Sequence, residues 1–244
     1  MPRAVPTRPG GSPYRTTNSA LMKRYLPFAI IALVLLIVLG GGALLFRSAQ
    51  PAPPSKTANS TPAAVSGAEP PHTRGADAAP VTIEEFGDFQ CPPCGALYPD
   101  LKRIESEYGP QRLRVIFREF PLVRIHAHAL EAAHAAEAAG FQDHFWEMHD
   151  LLYENQKIWS AATDERPLFT DYARRLGLDV ERFTRDMDGS VASMRVILDE
   201  RRGESLGVKG TPTVFVDGRE LPPAQTTYDG LRTAIETALN SNTR

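Results

Sequence analysis

The chain has 244 residues but only two cysteines, and these stand three positions apart in Cys91-Pro92-Pro93-Cys94. At the start of a helix such a pair has a chemical use. Unpaired backbone N–H groups and the helix dipole stabilise a thiolate on the first cysteine, taking it below its free value of about 8.5 and making it both nucleophile and leaving group. A second thiol with two residues between can reach the first sulfur and close a disulfide, and proline is tolerated at the first helical positions, where it stiffens the loop. Two plainer readings stand beside this one: a structural disulfide, or half of a metal site. Zinc takes four ligands and no second cysteine pair exists. His126, His128, His134, His144 and His149 fall in a region read below as helical, where solvated or half-buried helix positions account for them, and His72 falls in a polar, Pro-rich stretch. A disulfide-dense scaffold is excluded by the cysteine count.

The elements that must position this pair follow from periodicity. Residues 81–86 (Val-Thr-Ile-Glu-Glu-Phe) read as a strand, the cysteine motif then opens a helix through Leu97, Leu101 and Ile104, and Leu113, Val115, Ile116 and Phe117 read as a second strand. After Pro121 the apolar spacing turns helical: an Ala-rich stretch from His126 to Ala139, then Phe141 to Leu152, then Leu168 to Leu176, continued through Val180, Phe183 and Met187 and on through Val191, Met194 and Leu198. Strand character returns at Thr213-Val214-Phe215-Val216, with a turn at Asp217-Gly218, before a last helix carrying Leu231, Ile235 and Leu239. The order is β-α-β, a block of about four helices, then β-β-α. The Phe and Met stripes are read as helix core.

The strand, Phe89-Gln90-Cys91-Pro92-Pro93-Cys94, the helix, and far downstream Gly210-Thr211-Pro212-Thr213-Val214-Phe215 together resemble the thioredoxin superfamily. The helical block, Arg118-Glu119-Phe120-Pro121-Leu122 and Phe145-Trp146-Glu147-Met148-His149-Asp150-Leu151-Leu152 resemble its DsbA-like thiol-disulfide oxidoreductases, in the membrane-anchored bacterial branch. The resemblance implies an α/β, thioredoxin-like fold over residues 80–244 with a helical insertion at about 122–206. It implies that Cys91 is the exposed attacking cysteine and Cys94 the buried resolving one. Pro212 matches the cis-proline whose loop faces the disulfide, Thr211 supplies a hydroxyl near the sulfurs, and Glu85 is a buried acid that moves the resolving cysteine's proton. Glu84 faces the other side of the strand. The implied activity is a protein thiol-disulfide oxidoreductase without cofactor or metal, expected to run as an oxidase on exported proteins with free thiols. A membrane redox partner, DsbB-like or VKOR-like, is implied for re-oxidation. The alternatives are a reductase or isomerase running the same chemistry backwards, and a copper-binding module, though no Met-rich or Cys-His cluster accompanies the pair. Where strongly oxidising relatives often carry Pro-His between the cysteines, this chain has Pro-Pro, which leaves the redox potential open.

Composition bounds the rest. Hydrophobic residues make up 42% and charged residues 23%, enough for a folded domain, and the net charge of -2 hides an acidic portion: residues 81–244 hold 19 basic and 27 acidic side chains. Such a surface repels phosphate backbones, so nucleic acid is not an expected partner. From Leu26 to Phe46 the chain runs 21 residues without a charge, enough to span a bilayer, which takes about 20. Arg47 follows at once in place of a small-residue cleavage site, so an uncleaved signal anchor is expected rather than a signal peptide. Five basic residues precede the span, which puts residues 1–25 in the cytoplasm and the domain outside, in the periplasm or at the cell surface. Residues 47–79, rich in Pro and Ala, read as a tether. Thiols in that compartment are kept oxidised, which favours the oxidase direction.

Overall fold

The computed structural model describes residues 65–242. The expected anchor, Leu26 to Phe46, lies outside them, and no helix among the described residues is long and apolar enough to cross a membrane. The elements run β1 (His72–Arg74), β2 (Val81–Gly87), α1 (Pro92–Tyr108), β3 (Leu113–Glu119), then helices α2 (Ala129–Gly140), α3 (Phe145–Glu154), α4 (Gln156–Trp159), α5 (Arg166–Arg175), α6 (Val180–Met187) and α7 (Ser190–Leu206). After these come β4 (Thr213–Val216), β5 (Arg219–Glu220), a short 3-10 turn and α8 (Tyr228–Asn242). The five strands lie in the order β1-β3-β2-β4-β5. Helix α1 makes the crossover between the parallel strands β2 and β3, and the other pairings are antiparallel.

Strand β2 is central and nearly all of it is buried, as expected of a strand covered on both faces. Its side chains alternate. Val81 and Ile83 join Leu97, Leu101 and Ile104 of α1 and Leu231 and Ile235 of α8 in one core, whereas Phe86 packs edge-on against Phe120 and Phe215 on the opposite face. A third cluster joins the start of α1 to the insertion through Phe89, Phe117, Phe145, Met148, Leu152 and Trp159. The helical insertion is thus bonded by its apolar faces to the end of the sheet where the cysteines lie.

The structure departs from the sequence reading in three places. The expected tether ends sooner than residue 79. Residues 65–79 include Ala68, which is fully buried, and β1, whose residues His72, Thr73 and Arg74 pair with Phe117, Ile116 and Val115. A three-residue strand with intermediate exposure has too short an apolar pattern to be seen in sequence. His72 accordingly stacks on Phe145 and pairs with Glu137 instead of hanging in a linker. Secondly, the insertion holds six helices rather than four, because one stretch closes only a single turn (α4) and another is split at Asp188-Gly189. Thirdly, the histidines are not all solvated or half-buried helix positions. His126, His128 and His144 precede the helices, and His149 is buried amid Phe89, Phe117 and Trp146. Burial pushes His149 down to about 4, so its ring is neutral at pH 7.

The face opposite α1 carries charge. Glu84 is buried, where Arg202 donates to both its oxygens at 2.7 Å and Arg118 donates to Oε1 at 2.8 Å. Arg118 also donates to Asp199 at 2.9 Å and to the Ala68 carbonyl at 2.8 Å, and the Ala68 N–H donates back to Asp199 at 2.7 Å. One guanidinium therefore ties β2, β3, α7 and the incoming chain together. Arg118→Ala leaves Asp199 buried without its cation, and the loss should be about 3–5 kcal/mol. Urea unfolding measures it; a loss below about 1 kcal/mol would mean that these contacts behave as a solvated surface pair.

Candidate active site

Cys91 is the N-cap of α1, with extended backbone (φ -69°, ψ 119°), and Pro92 and Pro93 fill the first two helical positions. Proline has no N–H, so two of the donors that normally crowd a helix start are absent, and the first one available belongs to Cys94. The Gly95 N–H closes the first turn onto the Cys91 carbonyl at 3.1 Å. Both cysteines are free thiols. Their environments differ in the way that the chemistry needs. A hydrogen bond from the Cys94 thiol, outweighing burial and helped by bonding to Thr211 and by the Cys94 N–H, brings Cys91 down to about 6. Burial first, then the hydrogen bond with Cys91 and the charge of Glu85, holds Cys94 well above the ordinary thiol range.

Cys91 is less open than expected, at 3% exposure against 0% for Cys94. The peptide bond Thr211–Pro212 is cis and its loop lies over the motif, with the Cys91 thiol donating to the Thr211 carbonyl at 3.3 Å. The Thr211 hydroxyl is buried in the same loop, and bonding from this side chain is among the contributions that lower Cys91. Glu85 lies at 3% exposure on the sheet face that carries Val81 and Ile83, and Glu84 points the other way into its arginines. Burial, with smaller contributions from the charges of Glu105 and Cys91, raises the Glu85 carboxyl to about 8. At neutral pH it therefore holds a proton beside a sulfur that will need one.

Four residues not picked out from sequence shape this loop. Asp88 accepts from the Gln90 N–H at 2.7 Å, from the Leu122 N–H at 2.9 Å and pairs with His126 Nδ1 at 2.6 Å. Gln90 accepts from the His128 N–H at 2.7 Å. Gln156, at the start of α4, donates through Nε2 to the carbonyls of Phe89 and Cys91. An acid and an amide just ahead of the motif were visible in sequence as Asp88-Phe89-Gln90, whereas nothing local marks His126 or Gln156. On either side of the helix start lies a cavity of about 470 Å³. One is lined by Pro93, Lys209, Thr211 and Pro212, the other by Gln90, Pro92, Ala96, Tyr153, Gln156 and Ile158. Among the described residues no group of three or more His, Cys, Asp or Glu side chains is placed to hold a metal ion.

The family described as Thioredoxin matches residues 68–237. The chain belongs to the thioredoxin family. With the paired thiols of α1 and the helical insertion, its fold is similar to that of DsbA-like thiol-disulfide exchange proteins such as alpha-DsbA2 of Wolbachia pipientis, with a TM-score of 0.59 at 20% identity over 68% of this chain and 86% of that one. Its fold superposes on BdbD of Bacillus subtilis with a TM-score of 0.61 at 26% identity, covering 72% of this chain and 98% of that one. It is also similar in fold to MdbA of Corynebacterium diphtheriae, a thiol-disulfide oxidoreductase, with a TM-score of 0.56 at 23% identity over 72% of this chain and 93% of that one. In sequence it is 40% identical over 148 residues to a Na(+)/H(+) antiporter NhaA 1 of Salinispora arenicola, a match over 61% of this chain and 22% of the antiporter. A corresponding antiporter of Mycolicibacterium gilvum is 36% identical over 150 residues, 61% of this chain and 23% of that protein. The chain therefore spans less than a quarter of the length of these curated relatives.

The raised Glu85 carboxyl makes a signed prediction. Between about pH 4.5 and 8 the unfolded chain has released this proton and the folded chain still holds it, so Glu85 costs stability progressively as pH rises through that window. Glu85→Gln removes the titration. Relative to the parent it should gain up to about 1.4 kcal/mol per pH unit across the window and nothing below it. Denaturant unfolding at pH 4, 6 and 8 checks this; a constant difference would show that Glu85 does not titrate late.

Proposed function

We propose that this chain donates the Cys91–Cys94 disulfide to exported proteins, as a membrane-tethered oxidase. The observation that carries the reading is the opposed pair of thiols, a stabilised thiolate at Cys91 and a protonated Cys94 above the protonated Glu85. In the oxidised enzyme a client thiolate attacks the Cys91 sulfur, which is the reachable one. The Cys91–Cys94 bond breaks, a client–Cys91 bond forms, and the electron pair leaves on Cys94. That buried thiolate takes the Glu85 proton. A second client thiolate then attacks the client sulfur of the mixed disulfide and expels Cys91 as a thiolate. The client has lost two electrons and the enzyme has gained them. A thiolate stabilised in the reduced enzyme favours this direction, because it makes the disulfide the stronger oxidant. The cis-Pro212 loop would hold the client backbone extended across the sulfurs.

The same reading places residues 26–46 in the membrane with the basic N-terminus inside, clients and domain outside, and a DsbB-like or VKOR-like membrane partner removing the electrons. Protease added to intact spheroplasts should digest the domain and spare the N-terminus; a domain resistant until lysis would overturn this placement.

The chemistry is tested with the two serine variants. Cys94→Ser should accumulate client adducts that collapse on reduction, while Cys91→Ser forms none. A structural disulfide predicts instead that both variants only lose stability, by about 2–4 kcal/mol, and a copper module predicts equal loss of metal from both. Equilibration of the parent with glutathione buffers fixes the direction. A potential as reducing as about -270 mV, the thioredoxin range, would make the chain a reductase.

A further inference from the structure

Gln156 stands outside the cysteine helix, yet its amide is spent on the loop that carries the reactive sulfur. Nε2 donates one hydrogen to the Phe89 carbonyl at 2.7 Å and the other to the Cys91 carbonyl at 2.8 Å. The Cys91 carbonyl thus has two donors, Gln156 and the Gly95 N–H. The support behind the amide is firm. Asn155 donates its side chain to the Leu151 carbonyl at 2.8 Å, and the fully buried Trp159 donates to the Leu152 carbonyl at 2.7 Å, pinning both ends of the single turn α4. On the other side the helix has been left bare to admit the amide. A methyl group built on Gly95 would come within 2.3 Å of Gln156 Oε1 and 2.9 Å of Nε2.

We infer that Gln156 is a positioning residue for the reactive sulfur, whose two amide hydrogens set how strongly the disulfide oxidises by holding the Phe89 and Cys91 carbonyls. Two physical effects carry this. A carbonyl oxygen is the negative end of a dipole, and a donor placed on it offsets that charge close to where the Cys91 thiolate must form. Clamping the carbonyls on both sides of Gln90 also holds Cys91 in its extended N-cap conformation, the pose in which the Cys94 N–H bonds to its sulfur. The amide is neutral and has no chemistry of its own, so it acts only through the loop. The inference rests on the oxidoreductase reading and adds a device that links the helical insertion to the potential of the dithiol.

The test uses the full chain with Gln156→Ala and Gln156→Glu. The Cys91 midpoint is read from ultraviolet thiolate absorbance against pH, and the disulfide equilibrium from glutathione buffers. Removing the donors should raise the midpoint and weaken the disulfide as an oxidant by roughly fivefold, the worth of an ordinary hydrogen bond. The glutamate, which cannot donate when ionised and adds charge, should shift both readings further in the same direction. Loss of thermal stability with both readings unchanged would reduce Gln156 to a structural contact. Should Gln156→Ala not fold, Gly95→Ala keeps the amide but displaces it, and must raise the midpoint too; an unchanged midpoint there overturns the inference. A parent that never equilibrates with glutathione would instead sink the oxidoreductase reading, which a null result in the variants alone leaves intact.

Discussion

Two sulfurs three residues apart must differ in charge, and most of the domain is arranged to keep them different. Cys91 needs to exist as a thiolate and Cys94 needs to hold its proton. Covalent chemistry cannot distinguish two identical thiols, so the difference comes from placement. One sulfur stands at the helix N-cap, within reach of the Cys94 N–H and thiol. The other sits in the first turn with no exposure to water and with Glu85 beneath it. A low dielectric makes both effects larger than they would be in solvent, since each donor then acts on the sulfur without competition from water. The hydrogen bond from Cys94 to Cys91 uses the asymmetry and also maintains it.

Burial of the pair in turn explains the insertion. A helix starting at the end of a sheet has an open N-terminus, and here the aromatic cluster of Phe89, Phe117, Phe145 and Tyr153, closed by His149, fills the space around it. Gln156, His126 and His128 then attach the loop before Cys91 to the insertion by hydrogen bonds. On the far face the buried network of Arg118, Glu84, Arg202 and Asp199 fastens α7 and the entering chain to the same central strand. Strand β2 thus carries an ionised acid on one face and a protonated one on the other, Glu84 and Glu85. Neighbouring arginines lower the Glu84 carboxyl although burial opposes them, while Glu85, with no cation to offset burial, is raised.

The cysteine pair and its position after a strand and at a helix start were legible in the sequence, whereas the cis-proline segment and the depth of Glu85 were expected only through the family resemblance. What was read directly depends on local features: period-two alternation places Glu85 and Glu84 on opposite faces, and Cys-Pro-Pro-Cys declares a helix start through its prolines. The order of the elements was legible for the same reason, apart from β1 and the division of the insertion. What tertiary structure alone decided are the contacts between residues far apart in the chain. Examples are the Thr211 carbonyl at the Cys91 thiol, His72 on Phe145, the covering of Cys91, and the amide of Gln156 on the Phe89 and Cys91 carbonyls. A hydrogen bond across 65 or 120 positions leaves no periodicity and no spacing, because its geometry is set by how the helices pack onto the sheet. Which residues can do chemistry is therefore a property of the sequence, and how strongly each holds its proton is a property of the packing around it.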